Sequence, residues 1–533
     1  MAFYIPSVSE YVKERWPMVI LLGIFIIFKI PHLFYPYYWD ESWPYTPAIF
    51  QMYHHGISVL PGAVIPELSR GHPLLFHALC ALWMNIFGRS HVALHSFALT
   101  ISVVTLISVY EVGYRLFDKR VAFLVCFLLS AQMLFYIQSA FLLPEIFLAN
   151  LCFLSLYFYV TKQYIASGIC LTAAFYTKES GLIAGFVIGI NAVVALFSNV
   201  TSAKEKVFRL LTVAVPVGLF GIFFILQKHL YGWYIFPLHV DSLAHSLDGY
   251  LFELRLGCIR DILITDNRYY YVIMLGVLGV AAAIKTKSPL FLGILIPFFS
   301  FWCMIDDART VHCNILVLIL SFFIGIIIVV FFLDKLKYYS NSKQRHFVTI
   351  CFCFFMVFIL YSAATIFSSR YLLCALIPLL FIMAVFLNFC ISKANNNLYF
   401  LLIPIGICIA CASYYSNNSL GDGSRNAFYT MKVEQDAINY CERNNLFDKH
   451  LATPNFLSLM HFTEPGSGYL SSPNFFQHVQ FYKDSITEYV VLPNLNTDNS
   501  VMNDSTYEIV YESTSKDNSE TWEKVYKRKH IFK

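Results

Sequence analysis

The chain has 533 residues, of which 58% are hydrophobic and 13% are charged. Soluble domains carry about 25% charged residues, so this composition excludes an ordinary soluble protein and indicates several passages through a membrane. The formal net charge of +4 is too small to indicate nucleic-acid binding. The 14 cysteines lie mostly within apolar runs, and we interpret them as core or lipid-facing residues.

The first apolar run, residues 18–34, is close to the length of about 20 residues that a spanning helix needs. No signal-peptide cleavage site accompanies it, so we expect it to remain as an anchor. Lys13 and Arg15 precede it, and basic residues favour the cytoplasmic side of a membrane. The N-terminus is therefore predicted inside, and the first loop, residues 35–91, outside.

The next apolar run, residues 74–87, decides the sidedness of everything that follows. It is short, contains His77 and Asn85, and is flanked by Pro73 and Gly88. We interpret it as an interfacial or re-entrant helix that belongs to the outer loop. With this interpretation, nearly every short Lys-rich loop falls on the inside.

The later apolar runs complete an all-α polytopic membrane bundle of about 13 transmembrane helices, within residues 1–412. The predicted spans after the first are 92–116, 121–137, 146–160, 164–176, 182–197, 210–226, 269–284, 290–305, 311–333, 347–367, 371–391 and 398–412.

The composition becomes polar at Ser413 and stays so to the end. Residues 431–444 repeat with a helical period, and residues 488–492, 507–511 and 522–526 are typical of strands. Residues 413–533 are therefore predicted to form a small α/β domain outside the cytoplasm.

The most unusual stretch of the first loop begins with an acid pair. Asp40 and Glu41 lie among aromatic residues just after the first span, and Arg70 and His72 close the same loop. Charged groups beside a bilayer are costly to desolvate, so they commonly mark a functional site. The alternative is a solvated loop with an interfacial aromatic belt.

Four further groups fall on the same predicted outer side: Glu145, Lys178-Glu179, Arg370-Tyr371 and Asp306-Asp307 with Arg309. Each has a simple explanation by itself, such as a helix cap, a local ion pair, an interfacial anchor or a solvated turn. Their convergence on one face instead predicts a water-filled cavity lined by charges.

Several short motifs occur in a fixed order over residues 35–373. They are Trp39-Asp40-Glu41, the segment GHPLLFH at 71–77, the segment WMNIFG at 83–88, GYRLF at 113–117, Leu143-Pro144-Glu145, YTKE at 176–179 and RYLL at 370–373. In this combination the chain resembles the type C glycosyltransferase superfamily, in the branch of the protein O-mannosyltransferases and the bacterial lipid A aminoarabinose transferase.

The resemblance implies a polyprenyl-phosphate-linked sugar donor and a site at the outer face of the membrane. It implies Asp40 as the catalytic base with Glu41 beside it, Glu145 as an acid that contacts sugar or acceptor, and Lys178 near the donor phosphate. Two departures stand out. His72 precedes the proline where the aminoarabinose transferase has lysine, and Gln138 and Ser139 stand where many relatives carry arginine.

We therefore expect phosphate and substrate contacts to come from Arg70, His72, Lys178, Glu179, Arg370 and Tyr371. The chemistry fits this set, since a carboxylate can take a hydroxyl proton and cations stabilise a departing phosphate. The resemblance implies direct displacement with inversion, which needs one base and no enzyme nucleophile.

Without an Asp-x-Asp motif, no metal or other cofactor is expected. The acceptor can be a protein, a glycan or a lipid, the sugar is open, and a bacterial inner membrane is favoured. The alternatives are a transporter or lipid flippase, which would show repeated halves or broken spans, and a non-catalytic assembly protein.

Overall fold

The computed structural model describes residues 13–241, 243, 246–263, 268, 339, 341–365, 368–394, 405–409, 426–454, 456–481, 487–493, 504–516 and 521–529. The predicted spans 269–284, 290–305 and 311–333 lie outside the described residues, as does most of 398–412.

The described part of the membrane region consists of helices joined by turns and short loops. Its α-helices are α1 (Trp16–Lys29), α2 (Tyr45–His55), α3 (Pro66–Ser69), α4 (Leu75–Phe87), α5 (His91–Leu116), α6 (Lys119–Ser130), α7 (Met133–Gln138), α8 (Glu145–Val160), α9 (Tyr164–Thr177), α10 (Leu182–Leu196), α11 (Ala203–Tyr231), α12 (Pro237–Asp241), α13 (Leu247–Phe252), α14 (Arg260–Leu263), α15 (Ser342–Ser362) and α16 (Leu373–Ala394).

Six of the described helical segments are long and apolar enough to cross a membrane: Trp16–Phe34, His91–Leu116, Glu179–Leu196, Ala203–Tyr231, Ser342–Ser362 and Ser369–Phe389. Shorter apolar helices are Leu75–Phe87, Glu145–Val160 and Tyr164–Thr177. The protein is thus a multi-pass membrane protein, and the number of about 13 spans stays a prediction.

One predicted span differs in shape from the expectation. The run 121–137 is broken into α6 and α7 at Ala131 and Gln132, and the Gln132 backbone is extended. The Gln132 side chain is fully buried and accepts a hydrogen bond of 3.4 Å from Arg268. Apolar periodicity cannot reveal such a break, because both halves remain buried in the core.

Helices α1 and α5 lie antiparallel. At one end, Arg15 pairs with Glu111, and its guanidinium carbon lies 4.4 Å from the centre of the Tyr114 ring. At the other end, His95 Nδ1 lies 3.2 Å from the Leu33 carbonyl oxygen. The segment between α1 and α5 therefore begins and ends at the same end of the bundle, as the interpretation of α4 as a non-spanning helix requires.

The helices share a polar layer at the end of the bundle that holds Arg15. Asn388, near the end of α16, donates to Asp118 at 3.1 Å. Gln344, near the start of α15, donates to the Leu116 carbonyl at 2.6 Å. Further along, Lys162 pairs with Glu205 at 3.0 Å. These are the loops that the positive-inside pattern places together.

Helix α16 forms the centre of the bundle. The span Ser369–Phe389 is wholly buried in the protein and packs against α6, α8 and α15. Apolar residues cover nearly all sides of this helix, so its neighbours can enclose it while few polar side chains, such as Asn388, are buried. A short 3₁₀ turn, Ser369–Leu372, precedes α16 and carries Arg370 at the opposite end from Asn388.

The C-terminal segment contains helices α17 (Asn426–Arg443) and α18 (Phe456–Thr463) and a five-stranded sheet. The strands are β1 (His450–Thr453), β2 (His478–Phe481), β3 (Tyr489–Pro493), β4 (Tyr507–Thr514) and β5 (Trp522–Arg528), in the order β2-β1-β3-β5-β4. Strand β1 pairs in parallel with β2 and β3, whereas β5 is antiparallel to β3 and β4.

Strands occur at all three positions where the sequence indicates them. Strands β1 and β2 were not predicted, because each has only four residues and neither alternates cleanly between buried and exposed positions. Helix α17 packs against β4 and β5 with Ala437 and Ile438 fully buried.

Close packing of α5 on α6 provides a test of this arrangement. A Cβ added at Gly113 would lie 2.9 Å from the Ala122 Cα, so we expect Gly113→Ala to push the helices apart. Overpacking of this kind costs about 1–3 kcal/mol of unfolding free energy. Thermal unfolding of the purified protein in detergent should show the loss.

The matched control is Gly218→Ala in α11, where nothing lies within 4 Å of the added Cβ. Alanine favours a helix over glycine by about 1 kcal/mol, so this variant should keep or slightly raise the unfolding midpoint. An equal fall in both variants would contradict the packing of α5 on α6.

Candidate active site

The turn that carries Asp40 follows directly after the first span. Residues Trp39–Glu41 form one 3₁₀ turn, in which the Glu41 backbone N–H donates to the Tyr38 carbonyl at 3.0 Å. Trp39 has a positive φ of 50°, a conformation that is unusual for a bulky side chain. Its side chain is exposed, whereas the side chains before and after the turn are buried.

The neighbouring acids of this turn have different surroundings. Glu41 is fully buried and accepts from the backbone N–H groups of Leu142 at 2.5 Å and Tyr38 at 3.0 Å. His95 Nε2 lies 3.1 Å from Glu41 Oε1, the same oxygen that accepts from Leu142. Glu41 therefore ties the turn to the helices, and its part in catalysis stays a prediction.

Asp40 instead joins a compact set of four charged side chains, which we call the ion cluster: Asp40, Glu145, Lys178 and Arg370. Arg370 Nη2 pairs with Asp40 Oδ2, and Arg370 Nε lies 3.5 Å from Glu145 Oε1. Lys178 Nζ donates to the same Glu145 oxygen at 3.0 Å. Two carboxylates and two cations balance, which allows the set to lie below the surface.

The helices of the bundle bring these four residues to one end. Glu145 is the first residue of α8, where the helix dipole favours a carboxylate. Lys178 directly follows α9, and Arg370 precedes the central helix α16. Their side chains are 2%, 12% and 6% exposed, whereas that of Asp40 is 19% exposed. Asp40 is thus the member of the ion cluster that a substrate reaches most easily.

Aromatic residues complete the wall of the ion cluster. Lys178 Nζ lies 3.8 Å from the centre of the Tyr371 ring, within cation–π range. Tyr45 at the start of α2 is buried, and this burial raises the pKa of its hydroxyl, which also lies within electrostatic range of Lys178 and Glu145. The sequence analysis named Tyr371 but missed Tyr45, since a tyrosine in an aromatic-rich loop carries no distinguishing signal.

A second group of charged residues adjoins the ion cluster through the Lys178-Glu179 peptide. His72 Nδ1 donates to Glu179 Oε2 at 2.8 Å, and the His72 and His239 rings lie 4.7 Å apart. Burial, together with repulsion by His72, lowers the pKa of His239 to about 4, so His239 is neutral at physiological pH. His239 comes from the long loop after α11 and has no motif that would have revealed it.

Arg70 lies on the approach to this second group. Its backbone is left-handed with a φ of 49°, and it adds a positive charge near His239. Gly71 follows with a φ of 72°, and a Cβ there would meet the Trp233 ring at 3.0 Å and Phe236 at 3.1 Å. Glycine is thus required where the loop after α11 covers the first loop.

The structure therefore brings most of the predicted site residues together. Asp40, Glu145, Lys178, Arg370 and Tyr371 form one site, and His72 and Glu179 form a contiguous pair, with Arg70 nearby. Glu41 is separate. Asp306, Asp307 and Arg309 lie outside the described residues. Among the residues that the structure describes, no group of three or more His, Cys, Asp or Glu side chains is placed to hold a metal ion.

Gln138 and Ser139, which stand where many relatives carry arginine, are both buried. The Ser139 hydroxyl donates to the Tyr136 carbonyl at 2.7 Å, so it stabilises the end of α7. The positive charge of the site is supplied instead by Lys178 and Arg370, with Arg70 further out.

Comparison with known proteins identifies this arrangement. Residues 71–223 match the model of the dolichyl-phosphate-mannose-protein mannosyltransferase family. The whole chain is similar in fold to ArnT from Cupriavidus metallidurans bound to undecaprenyl phosphate, with a TM-score of 0.50, 10% identity, and coverage of 98% of this chain and 99% of ArnT. The predicted resemblance to the type C glycosyltransferases is confirmed.

The chain is also similar to the Archaeoglobus fulgidus oligosaccharyltransferase in its apo form, with a TM-score of 0.43 and 13% identity over 91% of this chain and 63% of that one. No curated protein matches by sequence. The family match starts at Gly71 and includes Glu145, Lys178 and Glu179, whereas Asp40 and Arg370 lie outside it.

The buried position of Arg370 predicts a large effect on stability. Arg370→Gln would leave Asp40 and Glu145 to share a single cation, Lys178. Breaking a buried ion pair by removing one partner costs roughly 3–5 kcal/mol, so the thermal unfolding midpoint of this glycosyltransferase in detergent should fall clearly.

Arg115→Gln is the matched control. Arg115 pairs with Glu111 at 3.1 Å, but its side chain is 63% exposed, and exposed pairs contribute about 0–1 kcal/mol. If the two variants lost the same stability, Arg370 would not be the buried counter-ion that the structure describes.

Proposed function

We propose that this membrane glycosyltransferase moves a sugar from a polyprenyl-phosphate donor to an acceptor hydroxyl at the outer face of the membrane, with inversion at the anomeric carbon. The observation that carries the proposal is the ion cluster, in which a partly accessible carboxylate, Asp40, is held by a buried arginine. The fold shared with ArnT, which was solved with undecaprenyl phosphate, supports the class of donor.

Asp40 is proposed as the general base. Arg370 holds one carboxylate oxygen, Oδ2, so the guanidinium fixes the orientation of the group. A carboxylate has further lone pairs on both oxygens, and these can take the proton of an acceptor hydroxyl within hydrogen-bond reach. As the proton leaves, the hydroxyl oxygen attacks the anomeric carbon and the bond to the donor phosphate breaks.

The cations of the site are proposed to stabilise the departing lipid phosphate. Lys178 and Arg370 lie within the ion cluster, and His72 and Arg70 lie beside it. Donors that are fixed in place before the reaction stabilise developing negative charge without reorganising. The Arg70 backbone N–H donates to the Pro66 carbonyl at 2.8 Å, but its guanidinium makes no hydrogen bond or ion pair with the residues that the structure describes, so we assign the guanidinium to the donor phosphate.

Glu145 is proposed to bind a sugar or acceptor hydroxyl. Its Oε1 accepts from Lys178 and lies 3.5 Å from Arg370 Nε, whereas its buried Oε2 has no hydrogen-bond partner among the described residues. A buried acceptor without a partner is costly, and a substrate hydroxyl would satisfy it. Two cations hold Glu145, and three hydrogen bonds hold Glu41, so neither acid is arranged as a nucleophile, in agreement with inversion.

The location follows from the proposed topology. The ion cluster and the C-terminal domain, residues 413–533, are proposed to face the outside of a bacterial inner membrane, with the membrane domain within residues 1–412. The acceptor is a protein, a glycan or a lipid. A transporter or flippase finds less support, because the charged groups gather at the ends of the described helices and not midway along them.

The decisive test replaces the proposed base. Asp40→Asn keeps the size of the side chain but removes the proton acceptor, so we expect sugar transfer to fall by about 10²–10⁴-fold. The measurement is transfer from a panel of radiolabelled polyprenyl-phosphate sugars by the purified protein in detergent, with a cell-envelope fraction as acceptor.

Glu67→Gln is the control for the same loop. Glu67 lies in α3, outside the ion cluster, and should retain activity close to that of the original chain. Full activity of Asp40→Asn would remove Asp40 as the base. Absence of transfer with every donor, in a well-folded preparation, would refute the proposed function.

We also expect transfer to proceed in the presence of a chelator. The proposed mechanism places arginine and lysine at the phosphate, where a divalent cation would otherwise stabilise the leaving group. Transfer rates measured with and without EDTA should agree. Loss of activity that a divalent ion restores would contradict this assignment.

A further inference from the structure

The C-terminal segment contacts the first loop through a buried chain of polar groups. The Ser42 hydroxyl donates to the Tyr37 carbonyl at 3.0 Å and lies 2.8 Å from His461 Nε2. His461 Nδ1 lies 2.8 Å from Glu434 Oε1. The Glu434 carboxylate accepts from the Nδ1–H of His461, and the other ring nitrogen, Nε2, is hydrogen-bonded to the Ser42 hydroxyl. We call Ser42, His461 and Glu434 the polar relay.

The polar relay is shielded from solvent and rigidly held. Ser42, His461 and Glu434 are 6%, 2% and 6% exposed. The Tyr469 ring stacks on the His461 imidazole with a centroid distance of 3.8 Å and an angle of 21°. A Ser-His-Glu arrangement can also describe a hydrolase, but the buried Ser42 hydroxyl is not accessible to a substrate, so we interpret the polar relay as structural.

Two further contacts join the same surfaces. The Tyr37 backbone N–H donates to the Ser467 carbonyl at 2.9 Å. Gly468 has a φ of 86°, and a Cβ at this position would lie 2.9 Å from the His91 ring and 3.1 Å from the Pro36 Cα. The C-terminal segment therefore approaches the residues before the Asp40 turn at backbone distance, which a larger residue at 468 would prevent.

The Asp40 turn is consequently fixed from both sides. Glu41 ties it to His95 and Leu142 of the membrane region, and Ser42 ties it to His461 of the C-terminal segment. Asp40 directly precedes these two anchored residues, and on its other side the Tyr37 backbone N–H is bonded to the Ser467 carbonyl. Any loosening of the Ser42 contact would change the direction of the Asp40 carboxylate relative to Arg370.

We propose that His461 is a positioning residue for the transfer reaction, through which the C-terminal segment holds the proposed base Asp40 in its reactive orientation. This inference rests on the proposed function for its effect on catalysis, but the effect on the turn is independent of it. It gives the C-terminal segment a role in the reaction although none of its described residues belongs to the ion cluster.

The test compares two substitutions at His461. His461→Ala removes the hydrogen-bond partner of Ser42, whereas His461→Gln keeps a terminal amide that can either donate to the Ser42 hydroxyl or accept from it. Because a misplacement of about 1 Å can cost 10²-fold in rate, we expect kcat of His461→Ala to fall about 10- to 100-fold with KM for the donor unchanged. His461→Gln should recover most of kcat.

Glu442→Gln is the control for a general loss of stability in the C-terminal segment. Glu442 is buried and accepts from the Ser471 and Ser472 backbone N–H groups at 3.1 and 3.2 Å, away from the polar relay. This variant should lower the unfolding midpoint while kcat stays within about twofold of the original value. A merely structural role of His461 would instead lower kcat in proportion to the unfolding midpoint in all three variants.

A second readout does not depend on activity. Hydrogen–deuterium exchange of the full chain in detergent reports the backbone N–H groups of Glu41 and Trp43, which bond to Tyr38 and Trp39 within the turn. Their exchange should accelerate in His461→Ala, but not in His461→Gln or Glu442→Gln. Unchanged exchange in His461→Ala would overturn the inference. Inactivity of the original chain with every donor would overturn only the proposed function.

Discussion

The pairing of Arg370 with two carboxylates is the interaction on which the site depends. A guanidinium this deeply buried needs compensating negative charge, and Asp40 of the first loop and Glu145 of α8 supply it. The first loop is thereby fastened to the entrance of the central helix α16. Lys178 balances the second acid, and the resulting neutral set can remain in a low-dielectric setting without losing its charged members.

This arrangement explains why the proposed base, Asp40, is also a member of an ion pair with Arg370. A carboxylate held by arginine is oriented, and an oriented base needs little reorganisation when an acceptor arrives. The backbone of Trp39, next to Asp40, is strained, and such a conformation persists only where the surrounding contacts hold it in place. Glu41 and the polar relay provide those surroundings from the membrane region and from the C-terminal segment.

The second group, built on His72 and Glu179, extends the site away from the proposed base. The loop after α11 covers it, and the close approach of Trp233 to Gly71 shows that this cover is packed directly on the first loop. The proposed site thus has its base at Asp40, with Arg70 and the His72–Glu179 pair further out. This separation fits the proposed donor, in which the reacting carbon lies next to a charged phosphate.

The sequence by itself determined the membrane class and named most of the charged residues that the structure brings together, whereas the sidedness of the loops stays a prediction. These follow from local properties, since apolar run length, loop charge and adjacent acids are all visible along the chain. The motifs around Asp40, Glu145, Lys178 and Arg370 also sufficed to indicate the glycosyltransferase superfamily, which the family match and the fold confirm.

The tertiary structure alone decided the roles within each motif. Asp40 and Glu41 are indistinguishable in sequence, yet one faces Arg370 and the other is buried against Leu142. Tyr45, His239 and His461 carry no distinguishing signal in the sequence, and only the packing of the chain places the first two beside the charged groups and His461 beside the Asp40 turn. Adjacent side chains on a turn point in different directions, and only the surrounding helices fix which direction leads to the site.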